Sequence, residues 1–255
     1  MPRPDLTDAT VWLTRPIAQA EDWRAALTAA GARVWLEPLL IIEAPDDEAA
    51  AAAALDSAEA ADIVIATSAN AVAAAARLRP RWAPRGRLIA VGGASADALA
   101  DYTGRPVATP ARSDTEGLVA MSALASVAGR RVALLAGHGG RQALAQTLIG
   151  RGARLDKIAL YRRAPAPIAA DRLDGLLAAD AVIVTSVEAW RRLAALTAGA
   201  RRARLRRLRL VAASQRVVQQ AGCDVDWSVE PIVIERMDAT GAVAALDRVW
   251  PVRGQ

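Results

Sequence analysis

The 255-residue chain contains one cysteine, one histidine, one lysine, two tyrosines and no phenylalanine. With Cys223 alone, an intrachain disulfide is excluded. With His138 as the only imidazole, no metal site can use two or more His or Cys ligands beyond that pair. A Ser-His-Asp arrangement would have to recruit His138, which lies in a glycine-rich turn without a nucleophile elbow. What remains is hydroxyls, backbone amides, carboxylates and arginine. Long apolar runs are also missing, none approaching the ~20 residues of a membrane span. Met1-Pro2-Arg3-Pro4-Asp5 has no apolar signal core. A soluble, cytoplasmic protein with no membrane partner is expected.

The balance of 53% hydrophobic and 23% charged residues is that of an ordinary globular chain. The net charge of +5 comes almost entirely from arginine, with Lys157 as the lone lysine. A guanidinium is a planar fork suited to carboxylate or phosphate, so the composition fits an anionic ligand. GC-rich coding accounts for it as well, together with the abundant alanine. The densest basic run, Arg201-Arg202-Ala203-Arg204-Leu205-Arg206-Arg207-Leu208-Arg209, has no interleaved aromatic residues on which bases could stack. It reads as a solvated loop from a helix to a strand, and no nucleic-acid partner is expected.

The chain repeats itself. Ala61-Asp62-Ile63-Val64-Ile65-Ala66-Thr67-Ser68-Ala69-Asn70-Ala71-Val72 returns about 120 residues later as Ala179-Asp180-Ala181-Val182-Ile183-Val184-Thr185-Ser186-Val187-Glu188-Ala189-Trp190. Gly31-Ala32-Arg33-Val34 returns at nearly the same interval as Gly152-Ala153-Arg154-Leu155. A duplicated unit of that size predicts two similar lobes, and ligands favour the groove between lobes. Short apolar runs such as Val11 to Leu13, Ile63 to Ile65 and Val182 to Val184 alternate with helical stretches such as 17–30, 49–60 and 187–196. Alternation of this kind predicts parallel sheets covered on both faces, with ligands beyond the carboxyl ends of the strands. Two proline-marked extended segments, around Pro38 to Pro45 and Tyr161 to Pro167, occupy equivalent places in the two copies and read as linkers.

Several junctions could hold an anion, and each has a structural alternative. Thr67-Ser68 and Thr185-Ser186 end a buried strand and open a helix, where free amides favour negative charge. A serine there is equally a helix cap. Ala136-Gly137-His138-Gly139-Gly140-Arg141 could cradle an oxyanion or simply form a tight turn, and Val91-Gly92-Gly93-Ala94-Ser95 has the same ambiguity. Neither is a dinucleotide fingerprint or a phosphate loop. Asp114-Thr115-Glu116-Gly117-Leu118 is a capping signal opening a helix over 118–124.

In order and spacing, the chain resembles the uroporphyrinogen-III synthase family. The matching elements are Leu13-Thr14-Arg15-Pro16 with Gln19-Ala20, Thr67-Ser68-Ala69-Asn70-Ala71-Val72, Val91-Gly92 with Ser95 and Leu99, Glu116-Gly117-Leu118, Gly139-Gly140-Arg141, Tyr161-Arg162-Arg163, Thr185-Ser186 and Val211-Ala212-Ala213-Ser214. They run from about Val11 to Ala245. The family often has threonine where Ser95 stands and a residue other than histidine at His138.

The resemblance implies two similar parallel-sheet α/β lobes, 1–37 with 167–255 and 45–160. The chain would cross twice, through extended linkers at 38–44 and 161–166. It implies a cofactor-independent, metal-free cyclisation of hydroxymethylbilane to uroporphyrinogen III, with inversion of the terminal pyrrole and loss of water. A monomer is expected, with room for transient contact with hydroxymethylbilane synthase. Tyr161 matches the family tyrosine proposed as proton donor, a task suited to a neutral phenol. Arg15, Ser68, Asn70, Ser95, Arg141, Ser186 and Ser214 would bind substrate carboxylates. Two other classes share parts of this description: a two-lobe small-anion binding protein without turnover, and a nucleotide-dependent oxidoreductase, whose fingerprint is missing.

Overall fold

A computed structural model of the chain describes residues 4–139 and 142–250. The chain divides into two compact units, Met1–Ile41 with Ala164–Gln255 and Ile42–Arg163. In chain order the strands are β1 (Thr10–Leu13), β2 (Arg33–Leu36), β3 (Leu40–Glu43), β4 (Ile63–Ala66), β5 (Arg87–Ala90), β6 (Val107–Ala108), β7 (Arg131–Gly137), β8 (Arg154–Pro165), β9 (Ala181–Val184), β10 (Arg209–Ala212) and β11 (Ile232–Val233). One sheet has the order β11-β10-β9-β1-β2 with every pairing parallel. The other has the order β3-β8-β7-β4-β5-β6, parallel from β8 to β6.

Without β3, the second sheet is the first one over again: β8-β7-β4-β5-β6 against β2-β1-β9-β10-β11. β4, β5 and β6 answer to β9, β10 and β11, while β7 and β8 answer to β1 and β2. That correspondence accounts for both repeats in the sequence. The long block covers β4 and β9, and the Gly-Ala-Arg block leads into β2 and β8. Gly31 and Gly152 take φ of +97° and +81°, the left-handed cap that lets the chain leave a helix and enter a strand.

The apolar strands are buried on both faces, as their unbroken runs predict. Val182 and Val184 join one core with Trp12, while Ala181 and Ile183 join another with Val11 and Leu13. In the second unit Val64 and Ala66 face one core, and Ile63 and Ile65 face the other. Neighbouring residues of a strand point to opposite faces, so each sheet is the middle layer between two apolar clusters.

A third duplicated element escaped sequence comparison. Asp114 caps the helix Thr115–Ala120 by accepting from the Gly117 amide at 2.7 Å, and Asp238 caps the helix Ala239–Asp247 by accepting from the Gly241 amide at 2.7 Å. Arg112 and Arg236, each two residues upstream, bind the capping carboxylates. In both copies a Cβ on the glycine would lie 2.0 Å from the arginine's carbonyl oxygen. Arginine, aspartate and glycine recur at intervals of two and three residues, followed by Val119-Ala120 in one copy and Val243-Ala244 in the other, a match interrupted at every second or third position and so less conspicuous than the block at β4 and β9.

Three expectations change in detail. The stretches read as linkers contain regular strand: β3 and the long β8 are neighbours in one sheet, which satisfies their backbone groups, and the unit boundaries fall inside them. The basic run is not a loop but a short 3-10 and α-helical turn, Gly199–Leu205. Arg201 and Arg204 pair with Asp174 there, and Arg206 pairs with Asp226. Three of the charges that could have met a phosphate backbone are thus met by this chain's own carboxylates, and Arg202 donates to the backbone carbonyls of Asp224 and Ala194. Met121 likewise turns extended and splits the helix expected over 118–124 into Thr115–Ala120 and Ser122–Ala125.

Gly241→Ala should cost about 1–3 kcal/mol, the usual range for overpacking, whereas Gly175→Ala, in a helix with open space around it, should gain about 0.5–1 kcal/mol. Chemical denaturation of the two variants checks both signs. The Arg236 guanidinium, aided by the Gly241 amide, holds the Asp238 carboxyl below the ordinary carboxylate range. Its contribution is therefore complete above the ordinary carboxyl pKa and is lost as pH falls through the lower folded value. The Asp238→Asn variant should melt below the parent at pH 7, with the gap closing on acidification below about pH 4.

Candidate active site

In both units the residues of interest gather at the carboxyl ends of adjacent strands. In the first unit Arg15 follows β1, Ser186 follows β9 and Ser214 follows β10, on three neighbouring strands. In the second, Ser68 and Asn70 follow β4, Ser95 follows β5, and Tyr161 lies in β8 beside the end of β7. Arg141 lies outside the described residues.

The two serine junctions are built alike. Ser68 and Ser186 both have extended backbone, and their hydroxyl oxygens accept from the amides of Ala71 at 3.1 Å and Ala189 at 3.0 Å. The capping role is thus realised in both copies, and such a cap stabilises a helix by about 1 kcal/mol. Ser214 occupies the cap position of Gln215–Asp224 without forming the side-chain bond, and its hydroxyl is exposed. Ser95 is buried in the first turn of Gly93–Thr103, and Asn70 is half-buried in the first turn of Ala69–Leu78. Of the threonines preceding the caps, Thr67 donates to the Leu135 carbonyl at 2.9 Å and so ties β4 to β7.

Tyr161 is the point on which the second unit converges. Its ring is only 3% exposed and packs in the same core as Ile158 and Leu160. Alternation would place consecutive residues 160 and 161 on opposite faces. They share a core because the β7–β8 ladder slips: Ala136 faces Ala159, but Gly137 faces Tyr161. The extra residue re-aims the tyrosine, a known effect of β-bulges. The space it enters exists because residue 137 is glycine. A Cβ there would lie 2.6 Å from the ring's Cζ. The bulge is closed by the His138 amide, which donates to the Tyr161 carbonyl at 2.7 Å.

The phenol oxygen has two partners. It lies 3.2 Å from the Ser68 Oγ, and the Arg163 Nη2 donates to it at 3.4 Å. Arg163 also sits 5.8 Å from the ring centroid. Because Ser68 Oγ already accepts from the Ala71 amide, its own proton is available to the phenol oxygen. The structure therefore brings together Tyr161 and Ser68 from the sequence reading and adds Gly137 and Arg163. Arg163 was visible in principle, since residues two apart in a strand share a face. Gly137 was not, because the bulge decides it.

Arg15 is half-buried and its guanidinium stacks 4.6 Å from the Trp23 ring. Burial pulls its pKa down from the ordinary arginine value. His138 is exposed and, with Lys157, Asp46 and Asp47, lines a cavity of about 280 Å³. That falls just below the usual range for drug-sized ligands. Among the described residues no three His, Cys, Asp or Glu side chains are grouped to hold a metal, and no helix is long and apolar enough to cross a membrane.

Known proteins match this chain along most of its length. The family model described as uroporphyrinogen-III synthase HemD matches residues 21–235. A uroporphyrinogen-III synthase from Salmonella typhimurium is 31% identical over 226 residues, covering 83% of this chain and 90% of the relative. One from Proteus mirabilis is 30% identical over 159 residues, covering 60% and 80%. Among solved structures, a uroporphyrinogen III synthase from the extremely thermophilic bacterium Thermus thermophilus aligns with a TM-score of 0.60 at 20% identity, covering 92% of this chain and 96% of that one. The enzyme from Helicobacter pylori aligns at 0.59 with 10% identity over 92% and 96%. At those identities the structural matches speak for the fold.

Gly137→Ala should displace the Tyr161 ring. With only two tyrosines in the chain, ring-labelled tyrosine NMR can report it. One resonance, that of Tyr161, should move while that of Tyr102 stays. An unmoved spectrum would show that the glycine is not what admits the ring.

Proposed function

This chain belongs to the uroporphyrinogen-III synthase family, whose members cyclise hydroxymethylbilane in heme biosynthesis, and we propose that Tyr161 is its proton donor. The observation that carries this reading is the placement of the Tyr161 oxygen between Ser68 Oγ and Arg163 Nη2. Both groups can donate to that oxygen, so both stabilise the phenoxide left once the proton has gone.

Hydroxymethylbilane is a linear tetrapyrrole with a terminal hydroxymethyl group and a fringe of acetate and propionate side chains. As the Tyr161 hydroxyl delivers its proton, the carbon–oxygen bond breaks and water leaves. A cation delocalised into the first pyrrole remains. Attack by the substituted carbon of the last ring gives a spiro intermediate. Its cleavage and re-closure invert that ring, and loss of a proton yields uroporphyrinogen III. No electrons enter or leave, so the sequence of steps needs no redox partner.

The remaining candidates serve the carboxylates: Ser68, Asn70 and Ser95 in one unit, Arg15, Ser186 and Ser214 in the other, with Arg141. For the described residues, support comes from their common position at or just beyond strand ends, where parallel sheets bind their ligands. Residues 38–44 and 161–166 are read as the linkers carrying the chain between lobes 1–37 with 167–255 and 45–160. We further assign the enzyme to the cytoplasm as a monomer that collects its substrate in transient contact with hydroxymethylbilane synthase. The chemical support is the substrate's own reactivity, since unassisted closure gives the non-inverted ring and a short transit limits that loss.

Positioned general acids contribute about 10²–10⁴-fold, so Tyr161→Phe should be the most damaging single substitution, with at least a tenfold loss of rate. Ser68→Ala should fall between it and the parent. The assay is incubation with hydroxymethylbilane, oxidation and chromatographic separation of the type I and type III isomers. A Tyr161→Phe rate within twofold of the parent would remove Tyr161 from this role, and type I product at the blank rate from the parent itself would overturn the reading as a whole.

A further inference from the structure

Arg15 is held more firmly than a surface arginine needs to be. Its Nε donates to the Gln19 carbonyl at 3.0 Å and its Nη2 to the Gln19 Oε1 at 3.3 Å. One face of the guanidinium lies 4.6 Å from the centroid of the Trp23 ring. Trp23 is 5% exposed and packed in the core of the first unit with Leu13 and Leu27, so the platform under the guanidinium is rigid. No carboxylate among the described residues pairs with Arg15.

A guanidinium offers two edges for bidentate contact, Nε with Nη2 and Nη1 with Nη2. Gln19 occupies the first with two neutral oxygens, which orient the group without cancelling its charge. The second edge remains, aimed by a side chain whose torsions are already fixed. We propose that Gln19 and Trp23 are positioning residues that hold Arg15 so that its Nη1–Nη2 edge receives one carboxylate of the substrate. Pre-ordering of this kind spares the entropy of immobilising a long side chain when the ligand arrives. The exposed Ile17, in the same turn, sets an apolar surface beside the charge, which suits a carboxylate carried on a pyrrole.

The inference rests on Arg15 being a substrate-binding residue, and the experiment separates the two claims. Steady-state kinetics with hydroxymethylbilane are measured for the parent, Arg15→Ala, Gln19→Ala, Gln19→Glu, Trp23→Phe and Trp23→Leu, with thermal melts of each. Loss of an aromatic platform or one orienting bond should raise KM about three- to tenfold with kcat nearly unchanged. The Trp23→Phe variant, which keeps a ring face, should lie between the parent and Trp23→Leu. Gln19→Glu is the decisive variant. It preserves the hydrogen bond to Nη2 but neutralises the guanidinium, so KM should rise although the arginine is held at least as tightly. A purely structural role would leave KM unmoved in Gln19→Glu.

Unchanged KM in both Gln19→Glu and Trp23→Phe, with a raised KM in Arg15→Ala, would overturn the positioning role while keeping Arg15 as a ligand. An unchanged Arg15→Ala would overturn both. Should Trp23→Leu fail to fold, the two Gln19 variants and Trp23→Phe still decide the question.

Discussion

Where β7 meets β8 the ladder slips by one residue, and Gly137 comes to face Tyr161 instead of its predecessor. Much of the second unit's chemistry hangs on that slip. Without it, Tyr161 would point away from the core that holds Leu160, and its hydroxyl could not reach Ser68. Without a glycine at 137, the ring would have no place to lie. The phenol is thus fixed by backbone geometry on one side and by a helix cap on the other. Its freedom to reorient is spent in folding, before any substrate is present.

The duplication makes the asymmetry of the two units informative. Ser68 and Ser186 have the same backbone conformation and cap their helices with bonds of nearly the same length. Only Ser68 also touches a tyrosine. The capping geometry therefore belongs to the ancestral fold, and the added phenol contact distinguishes one copy from the other. A similar economy appears where Arg112 and Arg236 brace the aspartate caps of equivalent helices. In both copies structure comes first, and chemistry is added to a position that folding already requires.

The abundance of arginine resolves into distinct uses. Many guanidiniums pair with carboxylates at the surface, such as Arg77 with Glu48 and Arg79 with Asp56. Exposed pairs of that kind contribute little each, about 0–1 kcal/mol. In the run from Arg201 to Arg209, the strongest basic signal in the sequence, Arg201, Arg204 and Arg206 are used in this way. Arg15 and Arg163 show a further use, since both lie against aromatic rings. Net charge alone could not have separated these uses, because it counts cations without regard to what stands opposite them.

Periodicity and repetition made the fold legible. Unbroken apolar runs such as Ile63 to Ile65 and Val182 to Val184 can be satisfied only in sheets covered on both faces, and the repeated blocks fall on strands that occupy equivalent places. The serine junctions and the left-handed turns at Gly31 and Gly152 were equally local, because a cap or a positive φ depends on a few neighbouring residues. The bulge that turns Tyr161, the glycine that admits it and the Trp23 platform beneath Arg15 were not local. Each requires residues far apart or one turn removed to meet in space. Pairing register and ring stacking arise from packing between elements, where alternatives differ by a single residue, and only the tertiary structure selects among them.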